Sequence, residues 1–75
     1  MACSSGLVMH IAHNLDLARR RELEETIKHH PGVTSAHFNE RRPHLMVVEY
    51  DPQLVSYHQI MHQVGSQNLR AEHVG

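Results

Sequence analysis

The stretch HLMVVEYDP, residues 44–52, is the most strand-prone run in the chain. Its branched and aromatic side chains favour an extended backbone, and Asp51-Pro52 ends the strand after residue 50. A polar turn at residues 40–43 joins it to residues 33–39, which are also typical of a strand. In residues 7–13, Leu7, Met9 and Ile11 alternate with Val8, His10 and Ala12, and residues 69–74 alternate again; this period of two is typical of strands. The sequence therefore predicts four strands, at 7–13, 33–39, 44–50 and 69–74.

Two of the segments between these strands have helical periodicity. Asn14 is a candidate N-cap for the first helix, predicted from about residue 16 to residue 30, where Pro31-Gly32 ends it. The narrow stripe on one side of this helix consists of Arg20, Leu23, Ile27 and His30. The second helix is predicted to end at Gly65. Its apolar stripe consists of Leu54, Tyr57, Ile60, Met61 and Val64.

The predicted order of elements is βαββαβ, which is typical of the ferredoxin-like fold of the α+β class. We therefore expect a four-stranded antiparallel sheet in the order 4-1-3-2, with both helices on one face and right-handed crossovers. The length of 75 residues suits one small domain. We expect residues 1–6 to form a flexible leader and residues 7–75 to form the domain.

Composition excludes several classes of function. Seven basic residues against eight acidic ones exclude nucleic-acid binding driven by bulk charge, and no apolar run approaches the length of a membrane span. The chain has no glycine-rich phosphate loop and no nucleophile within a motif, so we expect no enzymatic activity. The single cysteine, Cys3, allows no internal disulfide, and the leader has no signal-peptide pattern, so we expect a cytoplasmic protein.

Histidine is the unusual feature of the composition. The chain has nine histidines, more than its lysines and arginines together, and imidazole is the commonest metal ligand in proteins. A histidine-rich surface without a specific role is the alternative explanation of the same count.

Three short motifs resemble those of the heavy-metal-associated domain family, which includes copper chaperones and the N-terminal modules of metal ATPases. They are His30-Pro31-Gly32-Val33, Val48-Glu49-Tyr50-Asp51-Pro52 and the segment from Ile60-Met61 to Val64-Gly65. The resemblance extends over residues 7–74 and implies the same βαββαβ fold. It supports a fold more strongly than a function, because these motifs mark turns and core positions.

The family's Cys-x-x-Cys motif is absent from this chain. Counting back from Pro31, the two cysteine positions are occupied by Asp16 and Arg19, so the resemblance does not extend to Cu(I) held by two thiolates. Imidazole and carboxylate would be the donors instead, and they favour Zn(II), Cu(II), Ni(II) or Co(II).

The preferred metal site consists of His13, Asp16 and His44, because the loops that carry them are expected at one end of the fold. His58 and His62 are four residues apart on the second helix and form a weaker candidate pair. The alternative for both sets is that they are solvated polar side chains without a ligand.

His10 and His37 are expected on the sheet face turned away from the helices, which we call the open sheet face. The third strand separates them by about 10 Å, so they could share an ion only across a dimer. The same face is unusually apolar, which predicts a homodimer or a protein partner; its predicted apolar residues are Val8, Ala12, Leu45, Val47 and Val74. Two functions follow, a histidine-based metal-binding domain or a metal-free interaction module.

Overall fold

The computed structural model describes residues 4–74 and contains the six predicted elements in the predicted order. They are β1 (Ser5–Ile11), α1 (Leu17–Lys28), β2 (Val33–Phe38), β3 (Leu45–Tyr50), α2 (Tyr57–Gly65) and β4 (Ala71–His73). Ser5 and Gly6, expected in the leader, belong to β1 because they pair with Tyr50 and Glu49 of β3. Cys3 lies outside the described residues.

The four strands form one antiparallel sheet in the order β2-β3-β1-β4, which confirms the predicted topology. β1 and β3 form the centre of the sheet, with Leu7 opposite Val48 and Met9 opposite Met46. β2 and β4 are the two edges. β4 is shorter than predicted, because only Ala71, Glu72 and His73 pair with β1.

The core lies between the sheet and the two helices. Its buried side chains are Leu7, Met9, Ile11, Leu23, Ile27, Phe38, Met46, Val48, Tyr50, Val55, Ile60 and Val64. The strand residues in this set are those that the alternation predicts to face the helices, with Ala36 packed at the margin. No helix within residues 4–74 combines the length and the apolar character that a membrane span needs.

Both helices begin at a side-chain cap. Asp16 caps α1 by accepting a hydrogen bond from the Arg19 backbone N–H at 2.7 Å, so the prediction of Asn14 as N-cap is wrong. Ser56 and Gln59 cap α2 reciprocally, in a capping box. Because α2 starts after Ser56, Leu54 precedes the helix and is 70% exposed, whereas the neighbouring Val55 is buried.

Two of the sequence motifs, residues 30–33 and residues 48–52, contact each other at the turn that joins α1 to β2. Gly32 has a φ of 92°, in the left-handed region that favours glycine. Its carbonyl accepts a hydrogen bond from the Asp51 N–H at 2.8 Å, and the Val55 side chain lies against its Cα. The two motifs therefore hold the α1–β2 turn against the segment that follows β3.

Candidate metal-binding site

His44 stands immediately before β3 and links that strand to the end of β1. The Ile11 N–H donates to the His44 carbonyl at 2.8 Å, and the His44 ring Nδ1–H donates to the Ile11 carbonyl at 2.8 Å. A carbonyl can only accept, so this bond places the proton on Nδ1 and leaves a lone pair on Nε2. Metal-binding histidines are commonly oriented by this kind of bond.

The ring of His10 stacks on the ring of His44. The two ring centroids are 5.5 Å apart and the ring planes differ by 21°. His10 lies on β1 opposite Leu45 of β3 and opposite Glu72 of β4. Both imidazoles are half-buried. We call His10 and His44 the histidine pair.

The structure gives His13 and Asp16 local roles. The Nε2 of His13 accepts the backbone N–H of Arg70 at 3.0 Å, which ties the β1–α1 loop to the chain entering β4. Asp16 is the N-cap of α1, and the Arg19 guanidinium pairs with Glu22 at 2.6 Å. Asp16 and Arg19, which occupy the two counted cysteine positions, therefore take part in starting α1.

Across residues 4–74, no three histidine, cysteine, aspartate or glutamate side chains come together as a group able to hold one ion. The predicted set of His13, Asp16 and His44 is therefore not gathered, although the loops do meet: His44 contacts the end of β1, and His13 contacts the segment before β4. The binding of one ion by all three residues remains a prediction, and it would require their side chains to move.

His58 and His62 are both exposed on α2. The His58 ring stacks on Tyr57 with centroids 4.1 Å apart, and Tyr57 also contacts His73 at 5.2 Å. The second contact places His73 against the start of α2. A metal-binding role of the His58 and His62 pair stays a prediction.

The open sheet face carries a continuous apolar row. Val8 of β1 lies opposite Val47 of β3, and the Val74 N–H donates to the Val8 carbonyl at 2.8 Å. His37 lies opposite Val47 at the β2 end of the row, whereas His10 belongs to the next row. β3 therefore separates these two histidines, as predicted.

The sequence did not predict the contact between His10 and His44, because it assigned the two residues to different candidate sites. A signal was available, because the predicted strand order makes β1 and β3 antiparallel neighbours. The residue before β3 then lies beside the last residues of β1.

No protein-family model matches the chain, and no curated protein matches it. Among solved structures, a copper-binding domain from HMA7, a P-type ATPase, aligns with a TM-score of 0.83 at 18% identity over 93% of each chain. Oxidized MerP from Ralstonia metallidurans CH34 gives a TM-score of 0.84 at 11% identity, over 97% of this chain and 100% of that one. The CopZ metallochaperone gives 0.76 at 21% identity, over 93% and 100%. The chain therefore has the fold of these heavy-metal-associated domains.

Proposed function

We propose that the chain is a small non-catalytic metal-binding domain whose ligands are histidines. The histidine pair is the observation that carries the proposal, because it brings two imidazoles into contact at the ends of adjacent strands. The names of the structural neighbours, which include a copper-binding domain and a metallochaperone, support metal handling in general.

The donor chemistry of the pair favours a borderline divalent ion. The Nδ1–H of His44 is already bound to a carbonyl, so its Nε2 can donate a lone pair without a change of tautomer. The His10 ring stacks on the His44 ring, so a second imidazole lies next to the first. Two imidazoles suit Zn(II), Cu(II), Ni(II) or Co(II), whereas the soft Cu(I) ion prefers thiolate.

A third ligand can come from β4 or from the β1–α1 loop. Glu72 lies directly opposite His10 in the antiparallel register, at a position from which cross-strand side chains reach each other. His13 and Asp16, the other predicted ligands, would first have to release the N–H groups of Arg70 and Arg19. Glu72 is the less costly choice, because its side chain makes no hydrogen bond within residues 4–74 that would have to be broken.

Calorimetric titration of the untagged protein with each of the four ions at about pH 7.5 tests the proposal. We expect saturable binding that His44→Ala or His10→Ala weakens by at least about tenfold. Even groups that only hydrogen-bond to a metal ligand, without touching the metal, contribute that much to metal affinity. His58→Ala is the matched control, because it removes an exposed imidazole from α2 and should leave the affinity unchanged. Binding that is absent, or that depends on His58 but not on His44, would overturn the assignment.

The alternative function is self-association through the open sheet face, favoured by the row formed by Val74, Val8 and Val47. Val74 is 43% exposed, and the other two are half-buried. Two copies related by a two-fold axis would bury the same row on both sides and bring His10 and His37 of one chain towards those of the other.

Sedimentation tests this alternative with Val47→Glu, which places a charge within the row, on the central strand β3. We expect the wild type to dimerise and the variant to remain monomeric, since burial of an unpaired charge is unfavourable. Gln53→Glu, in an exposed turn, is the control with the same change in charge and should dimerise. A monomeric wild type at every accessible concentration would reject the dimer.

A further inference from the structure

A cavity of about 590 Å³ lies where α1 meets the outer edge of β2. We call it the α1–β2 cavity. Its volume is in the range of sites that bind small ligands or side chains. Its lining includes Leu17, Arg20 and Arg21 from α1, Phe38 from β2 and Arg41 from the turn that follows. It is separate from the histidine pair, which consists of one residue of β1 and the residue that directly precedes β3.

In the described part of the chain, the arginines of the α1–β2 cavity form no ion pair with an acidic residue. Within residues 4–74, the ion pairs join Arg19 to Glu22 and His29 to Glu25, so Arg20, Arg21 and Arg41 are in none of them. The Nε of Arg20 is buried and has no hydrogen-bond partner within the described part of the chain. A buried donor without an acceptor destabilises the folded protein, and residues 4–74 supply no internal acceptor that accounts for the position of this Nε.

A carboxylate of the protein itself already binds at this edge. Glu24 reaches from α1 to β2, where its Oε2 accepts the Phe38 backbone N–H at 2.7 Å in a partly buried contact. The Phe38 N–H points away from the sheet, because the next N–H, that of Asn39, points inward to the Leu45 carbonyl. The hydrogen bond orients Glu24 without neutralising it, so the lining has three guanidinium groups against two carboxylates, those of Glu24 and Glu40, and its net charge is +1.

An apolar side chain stands at the margin of the same cavity. Leu17, the first residue of α1, is 57% exposed and lines the cavity beside Arg20 and Arg21. The surface therefore combines unpaired guanidinium groups with one exposed leucine, and a complementary ligand carries a carboxylate next to an apolar group.

We propose that the α1–β2 cavity binds an extended acidic peptide segment of a partner protein, with a carboxylate side chain on Arg20, Arg21 and Arg41 and a neighbouring apolar side chain on Leu17. Charge complementarity identifies the occupant, because guanidinium and carboxylate form strong paired hydrogen bonds. The proposal does not depend on metal binding.

An NMR titration in the presence of EDTA tests the proposal. The probe is a capped six-residue peptide of alternating leucine and glutamate, compared with the same peptide carrying glutamine. We expect saturable shifts of the Phe38 amide and the Arg20 Nε–H with the glutamate peptide only. Equal binding of both peptides, or no saturable shift, would overturn the proposal.

Two charge-reversal variants locate the binding surface. Arg21→Glu changes an exposed side chain of the cavity and should weaken binding of the glutamate peptide by at least about tenfold, the worth of one charge-assisted hydrogen bond. Arg70→Glu makes the same change in net charge outside the cavity, beside β4 at the opposite edge of the sheet, and should have little effect. Equal weakening by both variants would mean that the peptide responds to net charge alone and would refute the site.

Discussion

The replacement of Gly32 by alanine is the sharpest test of the turn that joins α1 to β2. A Cβ at this position would lie 2.7 Å from Cγ1 of Val55 and 3.0 Å from the Cβ atoms of Leu54 and Val55. Val55 is buried in the core, so it cannot swing aside as an exposed side chain would. Alanine therefore meets a steric conflict in addition to an unfavourable backbone conformation.

The expected loss of stability is the sum of these two effects. A left-handed backbone costs a residue with a Cβ about 1–2 kcal/mol. Overpacking of a well-packed region costs about 1–3 kcal/mol. The free energy of unfolding should therefore fall by about 2–5 kcal/mol, a large part of the roughly 4–11 kcal/mol expected for 75 residues.

Urea and thermal unfolding followed by circular dichroism measure the effect of Gly32→Ala. A loss of this size lowers the melting temperature by at least about 8 °C in a domain of this length. Gly65→Ala is the matched control: Gly65 ends α2, and a Cβ there would meet nothing within 4 Å. Because alanine favours a helix over glycine by about 0.5–1 kcal/mol, this control should leave stability unchanged or raise it.

The same substitution is therefore expected to destabilise the protein at Gly32 but not at Gly65. If Gly32→Ala cost less than about 0.5 kcal/mol, the usual size of a neutral surface change, the contact with Val55 would be wrong. An equal loss at Gly65 would show that alanine is unfavourable for a reason unrelated to the left-handed turn.

Three further outcomes are expected. Ser56→Ala removes the side-chain acceptor for the Gln59 N–H and should lower the free energy of unfolding by about 1 kcal/mol in urea. The calorimetric affinity for Zn(II) should be lower in acid than at neutral pH, because protonated imidazole cannot bind a metal, and an affinity independent of pH would contradict histidine ligands. Cys3→Ser should leave the Zn(II) affinity unchanged, and a large loss would place a ligand in the first residues of the chain.

The strand order and the core could be predicted because alternation identifies the buried face of each strand. The ends of the strands could not, because hydrogen-bond partners decide them. Leu69 and Arg70 continue the alternation that predicts β4, yet the Arg70 N–H donates to His13 and β4 begins only at Ala71. At the start of β1, Ser5 belongs to the strand because it pairs with Tyr50 of β3.

The site was less predictable than the core, because its contacts depend on register. The sequence correctly placed the β1–α1 and β2–β3 loops at one end of the fold, and it identified His44 as a candidate ligand. The ring of His44 binds the Ile11 carbonyl and stacks on His10. Both contacts depend on which residue of β1 lies opposite each residue of β3. Periodicity gives the face of a strand but not the residue opposite each position.

The location of the histidine pair affects how a metal would be held. Asp16 and Arg19, at the counted cysteine positions, lie at the junction of a loop and a helix, where they start α1. His10 instead belongs to β1, and His44 directly precedes β3; these two strands pair from Ser5 opposite Tyr50 to His10 opposite Leu45. His10 is fixed on a paired strand, and two hydrogen bonds with Ile11 tie His44 to the end of β1, so both residues keep their geometry better than ligands on a free loop. A metal bound by the histidine pair would therefore depend on the register of the central strands, and the β1–α1 loop could vary in sequence without changing the two ligands.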